Sequence, residues 1–442
     1  MIRTKSVETN ITPEELLFNI KDREYPFFLD SAKGNSHQGN KSYLGFAPKI
    51  IVKSKGFDTE VEGLENFNIH KNPLDVLRDL MKEYFVEDER DFVGGAVGYL
   101  SYDFTEDNCN IVLKAEKNVD IYDTFFGIYF KVVEYDNATK KFNIIYMDGE
   151  DISDIEELFY SPEITKKPYT THEMVKGITE EEYGVAFDDV RDMIKKGIVY
   201  EVNLTQQFTV KSDRDPYDLY INLRNINKAD FMTYMDLGDY QILSSSPERF
   251  FKCRDRMVEA RPIKGTIKRS ADKEEDEKLK AELLNSEKNV SELLMIVDLM
   301  RNDLSLSCKY ETVKAVENYR LESYESVHHL VATIIGELRD EEDIYSLIKN
   351  IFPGGSITGA PKLMAIEAID KVEKYKRNVY TGSLGYISFN ENSDLNILIR
   401  TILKKGEDCY FSGGGAVTWD SEVKDEYNET LQKSLKLIEA LK

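Results

Sequence analysis

Cysteine and histidine are scarce. The four cysteines, Cys109, Cys253, Cys308 and Cys409, show no C-x-x-C spacing, and only five histidines accompany them. That excludes the usual zinc signatures and a disulfide framework. Long apolar runs are missing too. None approaches the roughly 18 residues of a membrane-spanning helix, and the opening MIRTKSVETNITPEELL lacks the apolar core of a secretory signal. Basic charge is in deficit: 58 Lys and Arg face 81 Asp and Glu, a net charge of −23. That balance argues against a nucleic-acid binder, which would carry a basic face. Small anionic substrates stay open, because a few arginines in a cleft set the local field whatever the total. No repeat with a period of about 20–50 residues is visible. These absences predict a soluble, cytoplasmic globular protein with neither a membrane nor a nucleic-acid partner.

The 442 residues suffice for two or three average domains or one large intertwined one, and 41% apolar with 11% aromatic residues support a packed core. Residues 26–32, 42–56 and 125–136 alternate or run apolar between turn residues and predict strands. The last of these forms a hairpin with 140–149 around Asn137-Ala138-Thr139. Residues 73–85 repeat apolar positions at helical spacing. The polar stretch 161–172, with two prolines, predicts a boundary between an N-terminal region, 1–165, and a second region, 173–442. Beyond it, 181–197 predicts an amphipathic helix ending at Gly197, and 200–210, 240–253, 379–389, 395–406 and 409–418 predict strands. The charged run 271–289 predicts a solvated helix, 291–304 an apolar helix and 424–441 a final helix. Without a strict βαβ rhythm, the pattern is α+β with antiparallel sheets.

Several side chains sit where a purely structural role is awkward. Glu292 shares a helical stripe with Met295, Ile296 and Leu299; buried there, a carboxylate needs a proton, a base or a metal, although a helix-entry glutamate favoured by the macrodipole is the simpler reading. Glu426 and Glu429 lie one turn apart in DEYNET, where like charges repel unless a cation intervenes; a solvated first turn is the alternative. FPGGSITGAPK (352–362) and SGGGAV (412–417) offer backbone N–H groups that can hold anions, yet neither fits the P-loop or dinucleotide fingerprint. Lys264 stands between Pro262 and Gly265, where a surface charge is the ordinary outcome. Arg400 interrupts the apolar NILIRTIL and is expensive unless it meets a carboxylate. His328 and His329 would point to opposite faces of a strand.

In order, YEVNLTQ, SSSPERF, RPIKGT, SEKNVSELLMIVDLMRNDL, VHHLV, FPGGSITGAPK, YTGSLGY, LIRT, GGGAV and DEYNET resemble the chorismate-utilising enzymes: anthranilate, aminodeoxychorismate, isochorismate and salicylate synthases. The match is dense over 175–442 and looser over FFLDSA and YLGFAP. The resemblance implies antiparallel sheets in a β-sandwich-like core with helices packed outside. It implies Mg²⁺ held by Glu292 and Glu426 with Glu429 nearby, and a chorismate carboxylate held by Tyr380 and Arg400. Further substrate contacts would come from Ser356 and the turn Gly413, Gly414 and Gly415. His329 would be the active-site histidine and Glu248 the acid that protonates the departing C4 hydroxyl, with a pKa raised by burial.

Lys264 in PIKGT resembles the aminodeoxychorismate branch, where anthranilate synthases usually carry alanine. It implies a covalent route in which the lysine attacks C2, ammonia adds at C4 and the lysine departs. Mg²⁺ or desolvation is expected to lower the pKa of that amine, since a reference value near 10.4 leaves about one lysine in a thousand neutral. At position 201, where water-activating members carry lysine and many amine-transferring ones glutamine, this chain has Glu201. No G-x-C-x-G nucleophile turn occurs and the chain is too short for a fused glutaminase. The expected ammonia source is therefore a separate glutamine amidotransferase subunit in a heterodimer. An anthranilate synthase component and a catalytically silent chorismate-binding subunit are the alternatives. Whether a tryptophan pocket lies beside Phe28-Leu29-Asp30-Ser31, as in some relatives, is left open by the residues alone.

Overall fold

The computed structural model describes residues 1–33, 39–64, 66–165, 167–270, 272–323 and 327–442. Residue 166, inside the predicted boundary, and residue 271, the first of the charged run, lie outside the described residues.

Two large antiparallel sheets organise the chain. The first runs, in spatial order, Ile2–Val7, Lys141–Met147, Lys131–Asp136, Lys41–Gly45, Phe27–Asp30, Phe231–Asp236, Gln241–Ser246, Thr401–Lys405, Asp408–Val417, Glu201–Lys211 and Val175–Lys176. The second runs Ile263–Lys268, Val327–Glu337, Met257–Ala260, Arg249–Arg254, Ser393–Ile397, Ser383–Ser388, Gly95–Leu100, Thr124–Tyr129, Ile50–Lys55, Asp58–Gly63 and Phe67–His70. Helices cover the outer faces, so the α+β class with a sandwich-like core describes the molecule. Both sheets draw strands from either side of residue 166: Phe27–Asp30 pairs with Phe231–Asp236, and Gly95–Leu100 with Ser383–Ser388.

Several stretches that read as single strands switch sheets instead. Residues 42–56 divide into Lys41–Gly45 in the first sheet and Ile50–Lys55 in the second, with Ala47 at φ 52° between them. Residues 125–136 divide at Phe130 in the same way. Residues 240–253 break at Pro247, whose missing N–H cannot continue a ladder, and residues 395–406 break at Leu398–Arg400, where Arg400 adopts φ 52°. Such bends make the corners where two packed sheets exchange strands. The last two corners lock together: Ile397 N donates to Glu248 O at 3.0 Å, Ser246 Oγ to Ile397 O at 2.6 Å, and Ser245 N to Arg400 O at 3.1 Å.

The Glu201–Lys211 strand shows how sequence sets the layers. Val202 and Leu204 point outward to Tyr183, Phe187 and Val190 of the Glu180–Lys195 helix and to Ala365 and Ile369 of the Lys362–Val372 helix. Glu201, Asn203 and Thr205 therefore face the other way. The helix before it opens on a capping box, Thr179 with Glu182, and ends ahead of Gly197 at φ 70°. The charged run and the apolar helix meet at Ser286, whose hydroxyl caps Asn289 N at 3.3 Å. One helix thus ends at Leu284, and the next spans Glu287–Ser305, starting earlier than its apolar pattern suggests. Among the described residues no helix is long and apolar enough to cross a membrane.

Candidate active site

The two interlocked corners form the floor of a polar site. Glu248 follows Pro247 in the first corner and is buried, with Ser356 Oγ donating to its Oε1 at 2.7 Å. Ser356 comes from the short Gly355–Ile357 turn of helix. Asn203 Nδ2 fixes that turn from the Glu201–Lys211 strand by donating to Ser356 O at 3.2 Å. Burial raises the Glu248 pKa above the ordinary carboxylate range, against the pull of Ser356, Lys264, Lys433 and Arg400. A buried acid that keeps its proton longer than usual can donate it to a leaving group.

Arg400 at the second corner has no hydrogen bond or ion pair to any described residue through its guanidinium. Burial pushes its pKa down, and Glu248 is the group that opposes this. A half-buried guanidinium without a partner is a costly arrangement that an incoming carboxylate would relieve.

Lys264 lies in the Ile263–Lys268 strand, beside a bulge at Gly265 (φ 75°) in the ladder with Val327–Glu337. Its side chain is 14% exposed, and its Nζ donates to Glu201 Oε1 at 3.2 Å. Burial works against its charge, but Glu201, Glu292 and Glu248 outweigh burial and hold the ammonium above its ordinary pKa. This runs against the depression expected from desolvation: Glu201 is bonded to the amine, and Glu292 and Glu248 act on it through charge. Glu201 is completely buried, and its second oxygen, Oε2, has no hydrogen-bond partner.

Across the ladder, the histidine pair divides between two faces. His328 is fully buried and engaged, with Nε2 3.0 Å from Asp276 Oδ1 and Nδ1 2.8 Å from Ser323 Oγ. His329 faces the site side. Burial, Lys33 and Arg400 push its pKa down to about 4, against Glu322 and the Gly265 backbone. It is a neutral imidazole throughout the physiological range.

The acidic residues occupy two helices. Glu292 lies on Glu287–Ser305, half-buried, its pKa raised by burial and by Glu201 and Glu429 while Lys264 and Lys288 oppose. Glu426 and Glu429 lie on Val423–Leu441. Glu426 is buried; Ser421 Oγ donates to its Oε1 at 2.7 Å, and its Oε2 has no partner. Burial raises its pKa, against Ser421. Glu429 pairs with Lys433 at 2.5 Å.

The glycines beside them correct the expected turn. Gly413, Gly414 and Gly415 lie inside the Asp408–Val417 strand, in register with Gln206, Thr205 and Leu204. Their role is close approach. A Cβ on Gly413 would come 2.3 Å from Thr430 O, and one on Gly415 would come 2.7 Å from Glu426 Oε2 and 3.3 Å from Glu429 Oε1. The run lets the helix press its glutamates onto the sheet.

Tyr380 completes the wall. It is buried, and burial raises its phenol pKa against the nearby Arg377. Arg377 itself is a buried hub: it pairs with Glu373 at 2.6 Å and donates to Ile357 O at 3.0 Å and Asn203 O at 2.6 Å. Lys264, Glu248, Ser356, His329, Tyr380, Arg400, Glu292, Glu426 and Glu429 thus gather around one seam between the sheets. Sequence reasoning left Glu201 without a role and passed over Lys433, Asn203 and Arg377. Lys433, four and seven residues beyond Glu429 and Glu426, falls on the same helical face, and that spacing was the available signal.

A separate cavity of about 90 Å³ lies beside Leu29, Asp30 and Ser31 and is also lined by Tyr43, Met232 and Tyr386.

Residues 25–439 match the family model described as chorismate binding enzyme. The chain is 33% identical to aminodeoxychorismate synthase component 1 of Bacillus subtilis, covering 95% of this chain and 92% of that one. It is 31% identical to anthranilate synthase component 1 of Acetivibrio thermocellus, over 97% and 92% respectively. Anthranilate synthase component I from Streptococcus pneumoniae superposes with a TM-score of 0.81 at 28% identity, over 91% of this chain and 93% of the other.

Proposed function

The chain belongs to the chorismate-binding enzyme family, and from that premise we propose that it acts as an aminodeoxychorismate synthase component 1, exchanging the C4 hydroxyl of chorismate for ammonia to give 4-amino-4-deoxychorismate. The observation that carries this reading is Lys264. Its side chain is turned inward, 14% exposed, with the amine bonded to Glu201 and within the field of Glu292 and Glu248. A nucleophile is useful only there.

On this reading Arg400 and Tyr380 hold a carboxylate of chorismate. Glu248, held by Ser356 at 2.7 Å, gives its proton to the C4 hydroxyl as it leaves as water. Lys264 attacks C2, and ammonia adding at C4 expels it again. Neutral His329 supplies a polar, uncharged wall beside the lysine strand.

Mg²⁺ fits the acidic side. Among the described residues no three His, Cys, Asp or Glu side chains form a ready-made metal cluster. Mg²⁺ commonly takes only one or two carboxylates and completes its shell with substrate oxygens and water. Glu426 offers a buried oxygen without a partner, and the missing Cβ of Gly415 leaves room beside it. Glu426 and Glu292 would hold the ion, with Glu429 nearby. Bound there, it would act as a Lewis acid on the ring carboxylate and draw electrons away from C4. Ammonia would come from a separate glutamine amidotransferase subunit, and free ammonium salts would replace it in vitro.

The second reading, an anthranilate synthase component, is favoured by the relatives that match over the same length. One incubation separates the two: purified chain, chorismate, Mg²⁺ and ammonium chloride, with an aminodeoxychorismate lyase added. para-Aminobenzoate is the expected product. Fluorescent anthranilate with pyruvate would establish the second reading, and no turnover despite chorismate binding would point to a silent subunit.

A further inference from the structure

The covalent route needs an uncharged amine, whereas a lysine is ordinarily an ammonium at neutral pH, and here its Nζ donates to a carboxylate. Some group must therefore take its proton at the moment of attack. Three carboxylates act on the amine: Glu201 from the Glu201–Lys211 strand, by a hydrogen bond, and Glu292 from the Glu287–Ser305 helix and Glu248 from the sheet corner, through charge. On the neighbouring strand, His329 lies opposite Thr266, with Arg400 and Lys33 within its field. Among these, Glu201 is the one described group that hydrogen-bonds Nζ. Glu248 is committed to Ser356 and, on the reading above, to the departing hydroxyl.

Glu201 is also built as more than a partner for charge. It is completely buried at the first position of its strand, where its backbone pairs with Ala360. It shares its strand face with Asn203, which steadies the Ser356 turn. One oxygen meets Lys264; the other is buried and bonded to nothing. A structural ion pair at such depth would be expected to satisfy both oxygens. A carboxylate about to become a carboxylic acid has less need to, because an uncharged pair is the cheaper state once the site is dry.

Resting on the proposed amination of chorismate, we propose that Glu201 is the proton acceptor that converts Lys264 to its nucleophilic form and later returns the proton. The steps balance. A proton moves from Nζ to Glu201 Oε1. The freed electron pair forms the Nζ–C2 bond as the C4–O bond breaks, and Glu248 protonates the leaving hydroxide to water. The ammonia lone pair then forms the C4–N bond while the C2–Nζ bond breaks, its electrons returning to nitrogen. The new C4 ammonium restores the Glu248 proton, and Glu201 returns its own to Lys264. A glutamine at this position could orient the amine but not hold its proton.

The test is the pH dependence of kcat at saturating chorismate and fixed free ammonia, for wild type, Glu201→Gln and Glu201→Asp. With a carboxylate at 201 the proton stays inside the pair, so wild type and Glu201→Asp keep the same profile shape even where Asp lowers the rate. In Glu201→Gln the amine must lose its proton to solvent, so kcat rises about tenfold per pH unit below the lysine pKa. Mass spectrometry of chorismate-treated protein without ammonia should show slower adduct formation on Lys264 at neutral pH in this variant, recovering at alkaline pH. A Glu201→Gln profile parallel to wild type, or one depressed equally at every pH, overturns the assignment, as does a proton-dependent slope in Glu201→Asp. Wild type that makes no aminodeoxychorismate overturns the underlying reading and this one with it. Wild type that makes it, beside an unaltered Glu201→Gln, overturns Glu201 alone.

Discussion

Replacing Arg400 by methionine separates what the site costs from what it does. The guanidinium carries a charge that burial disfavours, and no described residue pairs with it. Methionine keeps much of the side chain's length and removes the charge. Because it is not β-branched, it meets the φ of 52° at position 400 no worse than arginine does. The unliganded protein should therefore keep its stability or gain up to about 2 kcal/mol, as unpaired buried charges do when replaced by apolar groups. Chorismate binding should suffer in the opposite sense. Truncating one partner of a buried charge pair costs about 2–5 kcal/mol, which is roughly 30- to 5,000-fold in Kd. Urea unfolding of the unliganded protein and calorimetric titration with chorismate measure the two halves separately. A variant that binds chorismate as wild type does, or one whose unliganded form is clearly weakened, refutes the argument, since either result means that Arg400 serves the fold.

Gly413→Ala should destabilise by about 1–3 kcal/mol in urea unfolding, because its Cβ would lie 2.3 Å from Thr430 O and 2.5 Å from Ser434 Oγ and push the glutamate-bearing helix outward; an unchanged midpoint would mean that the helix moves at no cost. Asp103 supplies a pH-dependent term. Burial and the nearby Asp123 raise its pKa to about 7. The folded state therefore holds a proton that the unfolded state has released, and stability from this group is complete below about pH 4 and declines as pH rises to 7. The span is on the order of 4 kcal/mol. Asp103→Asn should be relatively more stable than wild type at pH 8 than at pH 5, and an equal difference at both would remove the argument. Mg²⁺ and chorismate should each bind tighter in the presence of the other, by the same factor, and independent titrations would count against a shared site at Glu292 and Glu426.

The features that the residues alone revealed were those carried by local pattern. Glu292 was suspected because an apolar helix stripe contained it, and Arg400 because it interrupted an apolar run. Strand existence followed from alternation, but sheet membership did not. At Pro247, Ala47, Phe130 and Arg400 the chain stays extended on either side and changes partners, and periodicity of two carries no information about which sheet a strand joins. Gly413–Gly415 fell inside the predicted strand 409–418 and also suggested a turn; the strand holds, and what local pattern did not reveal is the helix that approaches the glycines from elsewhere in the chain. The effect of burial on the lysine is outweighed by Glu201 and Glu292, which reach it from a strand and a helix distant in sequence and so left no local pattern to read.

Charge explains why the proposed chemistry belongs at this seam. Five carboxylates, Glu201, Glu248, Glu292, Glu426 and Glu429, share it with Lys264, Arg400 and Lys433, while the exposed Lys288 acts on Glu292 and Glu426 from outside. Two of the cations are already spoken for, Lys264 by Glu201 and Lys433 by Glu429. Arg400 is left to meet an anion at the floor of the site, and it can answer one carboxylate of a dianion but not two. The second would face Glu292 and Glu426, like charge against like charge in a poorly solvated place, where the repulsion is weakly screened. A divalent cation between them converts that repulsion into two attractions. Burial acts in the same direction at Glu248, where retaining a proton removes one negative charge and leaves the acid ready to protonate a leaving hydroxyl. An excess of carboxylates is therefore compatible with a dianionic substrate provided that one acid stays protonated and a metal shares the others, and both conditions depend on the sheets meeting closely enough to exclude water.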